Sequence, residues 1–446
     1  MTPCPPFSLS WRHTAVGLTL ALGTSAALAQ SLTQLYAQAR EYDAAVRAAR
    51  AQHQANGYRA DQARAGLLPA ASLTSSVSRT NLDISITPTR QYSTQSVGAS
   101  VSQPLYRPAN RIAWEQGLRQ VEQSQAQLQT AEQDLMIRVS QAYFDVLAAQ
   151  DTLTFVRAQK AAVAEQLAFA KRNFEVGTST ITDSREAQAR FDLVRAQELT
   201  AENDLKVKRL ALDQVSGQVG AQPWPLKQPI ELPVPAPENP EIWVQTAEDL
   251  HPNIRVARMA LDVARLETAK AEAAHRPVID AVASVATARN AGGTVNSALT
   301  SQSTITTVGI NLSVPLFAGY ALQNRVRETL ALEEKARADL EQARRTIGQG
   351  VRTAYLGVMS GQGQVRALEA AEASSQSSLD ANRLGYQVGV RINIDVLNAQ
   401  SQLYQTKRDL AKARYDVLLA GLRLRQVSGE LVPEDLARVD ANAVKP

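Results

Sequence analysis

The chain carries the same sequence pattern twice, and this internal repeat limits its possible folds more than any other feature. The segment VGASVSQPLY from Val97 is matched by VGINLSVPLF from Val308, and FEVGTSTITD from Phe174 is matched by YQVGVRINID from Tyr386. The offsets are 211 and 212 residues, so the register hardly drifts between the two pairs. Self-similarity at a fixed period is the signature of a fold built from repeated units. We therefore predict two structurally equivalent halves.

The first 29 residues have the pattern of an export signal. Arg12 precedes the apolar stretch TAVGLTLALGTSAALA, which ends in a small-x-small cleavage site. This stretch is shorter than the roughly 20 residues that span a membrane. We predict cleavage and a mature chain from Gln30, and an uncleaved anchor is the alternative. The single cysteine, Cys4, lies in this segment, so we expect neither a disulfide nor a thiolate metal site in the mature chain.

The repeat and the proline distribution divide the chain into five parts. We predict a signal peptide at 1–29, a first repeat at 30–217, a linker at 218–240, a second repeat at 241–428 and a tail at 429–446. The linker carries seven prolines, which remove backbone donors and interrupt helices and central strands. We expect the tail to wrap the outside of the helical part of the protein, near the linker.

Each repeat is predicted to contain a helix, two strands, a very long helix, a turn and another helix. The long helix of the first repeat runs from about Ala109 to Glu175, which corresponds to roughly 100 Å. Its two heptad rows are Val121, Leu128, Leu135, Ala142, Ala149, Val156, Val163 and Ala170, and Val139, Val146, Leu153, Leu167 and Phe174. The last helix repeats the rule at Val396, Leu403, Leu410, Val417 and Leu424. Such rows predict left-handed supercoiling, and a plain coiled-coil rod is the alternative.

The predicted strands distinguish this chain from a rod. Val97, Ala99 and Val101 alternate with small or polar residues, and the same alternation runs from Thr304 to Val314. A period of two is typical of a strand with one apolar and one wet face. No segment after residue 29 approaches 18 consecutive apolar residues, which excludes a helical membrane protein. Four strands do not close a membrane barrel, so several chains would have to combine their strands.

The chain resembles the TolC family of outer-membrane channel proteins over essentially its whole mature length. The resemblance rests on the signal peptide, the repeat, the strand ends SQPLY and SVPLF, and above all the segment from Tyr386 to Leu424. It implies a mixed α+β membrane protein: a homotrimeric 12-stranded β-barrel in the outer membrane, four strands per protomer, continued by a long α-helical periplasmic barrel. The implied partners are outer-membrane lipid, a periplasmic adaptor (membrane fusion) protein and an inner-membrane ABC or RND-type transporter. The implied role is the exit channel of a tripartite efflux pump or type I secretion system. The alternative is a poreless periplasmic coiled-coil scaffold.

The resemblance also assigns a gate. The matching positions are Thr182, Asp183, Tyr386, Arg391, Asp395 and Asn398. Asp183 facing Arg391 and Tyr386 would form a latch that a docking partner can break, because charge-assisted hydrogen bonds are directional. Asp183 could instead serve its own helix N-terminus, with Thr182 or Asn393 as caps, and the two roles are compatible.

The constriction departs from the family at one position. The family tends to carry two acidic rings, whereas this chain has Asp395 and then Asn398. A trimer would present three carboxylates there instead of six, so we expect weaker cation selectivity.

The turns themselves resemble the tips that meet the adaptor. They consist of Val176, Gly177 and Thr178 in the first repeat and of Val388, Gly389 and Val390 in the second. Glycine also gives the backbone freedom that a helix reversal requires, so both readings apply.

Other function classes lack support in the sequence. His53, His251 and His275 are not spaced in the chain as metal ligands would be. The sequence also offers no set of nucleophile, base and orienting group that could form a catalytic site. We therefore expect no catalysis, no metal and no cofactor. Basic residues alternate with acids rather than clustering with aromatics, which argues against nucleic-acid binding. The sequence leaves the cargo open.

Overall fold

A computed structural model gives the fold of the chain. It describes residues 30–85, 87–227, 230, 232, 234–295 and 297–444. The predicted signal peptide and Cys4 lie outside the described residues. None of the described helices is both long enough and apolar enough to cross a membrane.

The two repeats have the same order of elements. The first contains α1 (Leu32–Tyr42), α2 (Ala44–Ala65), β1 (Ala70–Ile84), β2 (Thr87–Tyr106), α3 (Pro108–Glu175) and α4 (Ile181–Ser216). The second contains α5 (Pro240–Leu250), α6 (Pro252–Ala273), β3 (Val278–Ala291), β4 (Ser301–Ser313), α7 (Ala321–Gln387) and α8 (Asn393–Val427), and the tail forms α9 (Pro433–Ala441).

The prediction of one helix before each strand pair is wrong, because each repeat has two. Asp43 separates α1 from α2, and its carboxylate accepts a hydrogen bond from the Val46 N–H at 2.9 Å. His251 separates α5 from α6 in the same way, directly before Pro252. Proline disfavours the helical conformation of the residue that precedes it, which explains the break between α5 and α6 at His251.

The four strands form one antiparallel sheet in the order β1-β2-β3-β4, so β1 and β4 are its edges. Leu73 lies opposite Ala99, which lies opposite Val285, and directly opposite residues share a face. This face is apolar, and Leu73 and Val285 are exposed. The other face carries hydroxyls, such as those of Ser72 and Ser100, which lie 2.8 Å apart. The predicted alternation is confirmed.

The heptad rows form the seams between the helices. The residues of both α3 rows from Leu135 to Ala170 are buried, as is the row from Val396 to Leu424 in α8. The largest cluster surrounds Tyr143, whose hydroxyl donates to the Trp224 carbonyl at 2.9 Å. Phe174, at the end of the second α3 row, is exposed because the helix reverses there.

The tail is hydrogen-bonded to the linker and to the start of α1. The Val444 N–H donates to the Pro225 carbonyl at 2.8 Å. The Asp440 carboxylate accepts from the N–H groups of Leu32 and Thr33 at 2.8 and 3.0 Å. These two donors belong to the first turn of α1, where a helix favours negative charge.

His251 makes the stability of this region depend on pH. The residue is only 7% exposed, and burial lowers its pKa from 6.5 to about 4. Between these two pKa values, His251 binds a proton in the unfolded chain but not in the folded chain. The free energy of unfolding is therefore highest above pH 6.5 and decreases as the pH falls towards 4. Between pH 7.5 and pH 5 we expect a loss of about 2 kcal/mol in the free energy of unfolding. His251→Asn, which keeps a capping acceptor for the Asn253 N–H, should remove this loss when thermal unfolding is followed by circular dichroism. An equal pH dependence in the variant would contradict the assignment.

Candidate functional site at the helix tips

The long helices α3 and α7 end in the same turn. Gly177 and Gly389 have φ angles of +80° and +79°. The Thr178 N–H donates to the Asn173 carbonyl at 2.8 Å, and the Val390 N–H donates the equivalent bond at 2.9 Å. This is the Schellman pattern, which closes a helix at a residue in the left-handed region. The sequence repeat at the turns is therefore also a geometric repeat.

The tips are apolar and open to solvent. Val176, Val388 and Val390 are 73%, 66% and 76% exposed. Within the part of the chain that the structure describes, no atom outside the turn lies within 4 Å of the position where a Cβ would stand on Gly177 or Gly389. Clustered exposed apolar side chains are typical of surfaces that contact a partner.

The two repeats meet behind the tips through a buried asparagine. Asn393 is fully buried, its amide donates to the Asp183 carbonyl at 3.1 Å, and its side-chain oxygen accepts from Gln166 at 2.6 Å. The rings of Phe169 and Tyr386 meet edge to face, with centroids 5.8 Å apart. The sequence pattern predicts Asn393 only as a cap and does not indicate this role, because a single buried amide leaves no periodic signal.

Asp183 takes part in a capping box at the start of α4. Its carboxylate accepts hydrogen bonds from the Thr180 hydroxyl at 2.9 Å, the Thr180 N–H at 3.1 Å and the Ser179 hydroxyl at 3.0 Å. Burial works to raise the pKa of Asp183, but these hydrogen bonds outweigh it and hold the pKa below its ordinary value. The cap is thus Thr180, and the prediction of Thr182 or Asn393 as caps is wrong, since both lie inside their helices.

Within one chain, the predicted latch residues Asp183 and Tyr386 lie close enough to interact electrostatically, whereas Arg391 pairs elsewhere. Burial raises the pKa of the Tyr386 hydroxyl, and the negative charge of Asp183 adds to this effect. Arg391 instead faces Asp395, with 3.7 Å between the guanidinium and the carboxylate. In the described part of the chain, no ion pair joins Asp183 to Arg391. Thr182 is exposed.

Asn398 has a hydrogen-bond partner that its sequence pattern does not indicate. The Arg190 guanidinium, on α4, donates to the Asn398 side-chain oxygen at 2.8 Å. Asp395 lies one turn earlier, in the first turn of α8, where a carboxylate is favourable. Arg190 thus places a positive charge beside Asn398, one of the positions that the sequence resemblance assigned to the gate.

Comparison with known proteins identifies the family. A family model described as "Outer membrane efflux protein" matches residues 35–218 and 243–430, which correspond to the two repeats. The "Outer membrane protein TolC" of Vibrio cholerae is 34% identical over 426 residues, covering 95% of this chain and 97% of that protein. The "Alkaline protease secretion protein AprF" of Pseudomonas aeruginosa is 33% identical over 441 residues, covering 96% and 90%.

Solved structures share the fold. The outer membrane protein VceC of Vibrio cholerae superposes with a TM-score of 0.75 at 19% identity, covering 89% of this chain and 96% of that one. CusC superposes with a TM-score of 0.78 at 20% identity, covering 94% and 99%. Together with the family match across both repeats, these likenesses establish that the chain belongs to the outer membrane efflux protein family.

Proposed function

We propose that the chain is the outer-membrane exit channel of a tripartite efflux pump or a type I secretion system. Family membership supports an outer-membrane location with the helices extending into the periplasm. Relatives named for secretion of proteases, AprF and PrtF, and a relative named as an efflux protein, BepC, support both branches. These relatives are named for secretion and efflux rather than for an enzymatic reaction, which supports a passive duct.

The sheet is the observation that carries the proposal. Its apolar face is exposed, and its edges β1 and β4 carry backbone groups that only another strand can satisfy in lipid. Strands of 13 to 20 residues exceed the 9 to 11 or so that a tilted membrane strand requires. Three copies would supply 12 strands, enough to close a membrane barrel. Beneath it, α3 with 68 residues would extend the wall by roughly 100 Å.

The gate is proposed to close between neighbouring copies. Arg391 is exposed, and its 3.7 Å contact with Asp395 is too long for a strong hydrogen-bonded ion pair. A neighbouring chain could offer it Asp183 or the exposed Thr182. We propose that an adaptor, docking at the tips and joined to an inner-membrane ABC or RND-type transporter, breaks these contacts.

Engineered cysteines test the ring, because the only cysteine of the sequence is Cys4. Ser76→Cys on β1 should be combined in turn with Ser303→Cys, Ile305→Cys or Thr307→Cys on β4. After oxidation, outer-membrane fractions should give covalent species of up to three chains, and Ser76→Cys alone should give monomers. Monomers from all three pairs, or a protein absent from the outer membrane, would favour the poreless scaffold.

Restoring the second acid should raise cation selectivity. In a trimer, Asn398→Asp adds three carboxylates. If each lay about 10 Å from the pore axis, together they would stabilise a cation by roughly 1 kcal/mol in water, or about a fivefold change in preference. Arg190 offsets part of this charge, so the change should be larger in Asn398→Asp with Arg190→Gln than in Asn398→Asp alone. Reversal potentials across a salt gradient measure the preference. An unchanged reversal potential in both variants would remove Asn398 from the constriction.

A further inference from the structure

A polar cavity of about 390 Å³ lies between α3, α4 and α8, behind the tips. Its lining residues are Gln159, Arg190, Leu193, Val194, Gln197, Asn398, Ser401, Gln402, Gln405 and Arg408. The volume falls within the range of small-molecule sites. Apart from Leu193 and Val194 the lining is polar, so the cavity is suited to a hydrated or charged molecule.

The charge of the cavity has one sign. Arg190 and Arg408 are its charged lining residues, and the lining contains no carboxylate. Among the ion pairs of the described residues, neither arginine takes part. Asp409 lies next to Arg408 in the chain, and its charge acts on Arg408 only from a distance. This differs from the rest of the helical surface, where arginines are commonly paired with acids.

Both guanidinium groups are held in place by neutral partners. Arg190 donates to Asn398 at 2.8 Å. Arg408 donates to Gln159 at 3.0 Å and to Gln405 at 2.7 Å, and Gln159 is only 3% exposed. A guanidinium has five N–H donors, so most donors of both groups have no partner among the described residues. These amide contacts fix the positions of the cations without neutralising them.

The positive charge of Arg408 is partly removed from water without a counter-ion in contact with it. It is half-buried, and burial lowers its pKa, with only the charge of Asp409 opposing the shift. A cation removed from water without a counter-ion is unfavourable. Ser401 lines the same cavity, and its buried hydroxyl has no hydrogen-bond partner among the described residues. An anion in the cavity would compensate the charge and could also accept from this hydroxyl.

The spacing of the two cations indicates the shape of the anion. Their anchors on α8, Asn398 and Gln405, are seven residues apart, or about 10 Å along the helix axis. A single carboxylate spans much less than this distance. Two anionic groups on one small molecule could each meet one guanidinium, and arginine suits both carboxylate and phosphate.

We propose that this cavity binds a small oxoanion with two charged groups, such as a diphosphate or a dicarboxylate. Binding itself requires only the cavity between α3, α4 and α8. Its effect rests on the proposed function: if Asn398 lines the constriction, the bound anion neutralises Arg190 beside it and shifts the pore towards cations.

Calorimetric titration of inorganic pyrophosphate, in magnesium-free buffer, into the purified detergent-solubilised protein tests the site. We expect saturable binding that is weakened at least tenfold by Arg190→Gln with Arg408→Gln, and also at least tenfold weaker binding of acetate. Arg195→Gln, an exposed arginine of α4 outside the cavity, is the matched control and should bind like the wild type. Circular dichroism confirms that each variant is folded.

Two results would overturn the inference: no saturable binding to folded protein, or equal loss of binding in the Arg195→Gln control. Bilayer conductance of the same preparation separates this outcome from a failure of the proposed function. A conducting protein that binds no pyrophosphate rejects the anion site alone. A protein that binds pyrophosphate through the two arginines but does not conduct supports the site and rejects the duct.

Discussion

Replacing both tip glycines by leucine is expected to reduce export roughly tenfold or more, while the protein still assembles in the outer membrane. Among the described residues, no atom lies within 4 Å of a Cβ placed on Gly177 or Gly389, so the new side chains can leave the backbone there without a clash. They would instead stand on the surface proposed to receive the adaptor. Export of a pump or secretion substrate, measured beside the amount of protein in outer-membrane fractions, gives both readouts.

Backbone strain must be separated from the loss of docking. Both glycines have positive φ, which disfavours leucine, whereas asparagine tolerates this region. The pair Gly177→Asn with Gly389→Asn is therefore the control, and we expect it to keep most of the export. Loss of the assembled protein in the leucine variant would contradict the docking role, and so would full export by that variant.

Gly429→Ala should destabilise the protein far more than a matched glycine substitution elsewhere. Gly429 closes α8 with φ +82°, and a Cβ there would stand 2.7 Å from the backbone of His251, between α5 and α6. Because the atoms in the way are backbone atoms of His251 and Leu250, neither segment can shift easily to make room for the methyl group. We expect a loss of about 3 to 5 kcal/mol, which combines the cost of positive φ with that of overpacking.

Gly220→Ala is the control. Gly220 has φ +79°, nearly the same conformation, but among the described residues no atom lies within 4 Å of a Cβ placed there. It should therefore lose only the conformational part, about 1 to 2 kcal/mol. Thermal unfolding of the two variants beside the wild type compares the losses. Equal losses would show that the contact of Gly429 with His251 is not tight.

The sequence patterns that predicted the fold were local and periodic. Heptad rows mark helix seams because burial recurs every seven residues, and the rows of α3 and α8 are buried as expected. Alternation marks the sheet because its faces meet different surroundings, and the register from Leu73 to Val285 follows it. The repeated Val-Gly turns have the same backbone geometry in both halves.

Features that depend on single contacts between distant segments were not predictable. Asn393 joins the two repeats through one buried amide, and Arg190 reaches Asn398 from another helix. Neither residue leaves a pattern in its own segment. Asp43, which splits the first helix, is one polar residue in an otherwise helical stretch. The latch between Asp183 and Arg391 involves side chains that one chain does not join, so it remains a proposal about neighbouring copies.

Single-channel conductance in a planar lipid bilayer tests the central claim most directly, with the mature wild type beside Arg391→Ser. A gated duct should give small, steady, cation-preferring openings in the wild type. The conductance should be larger in the variant, because serine cannot replace a charged donor between neighbouring chains. No conductance from either protein would contradict the duct, and equal conductance from both would contradict the gate.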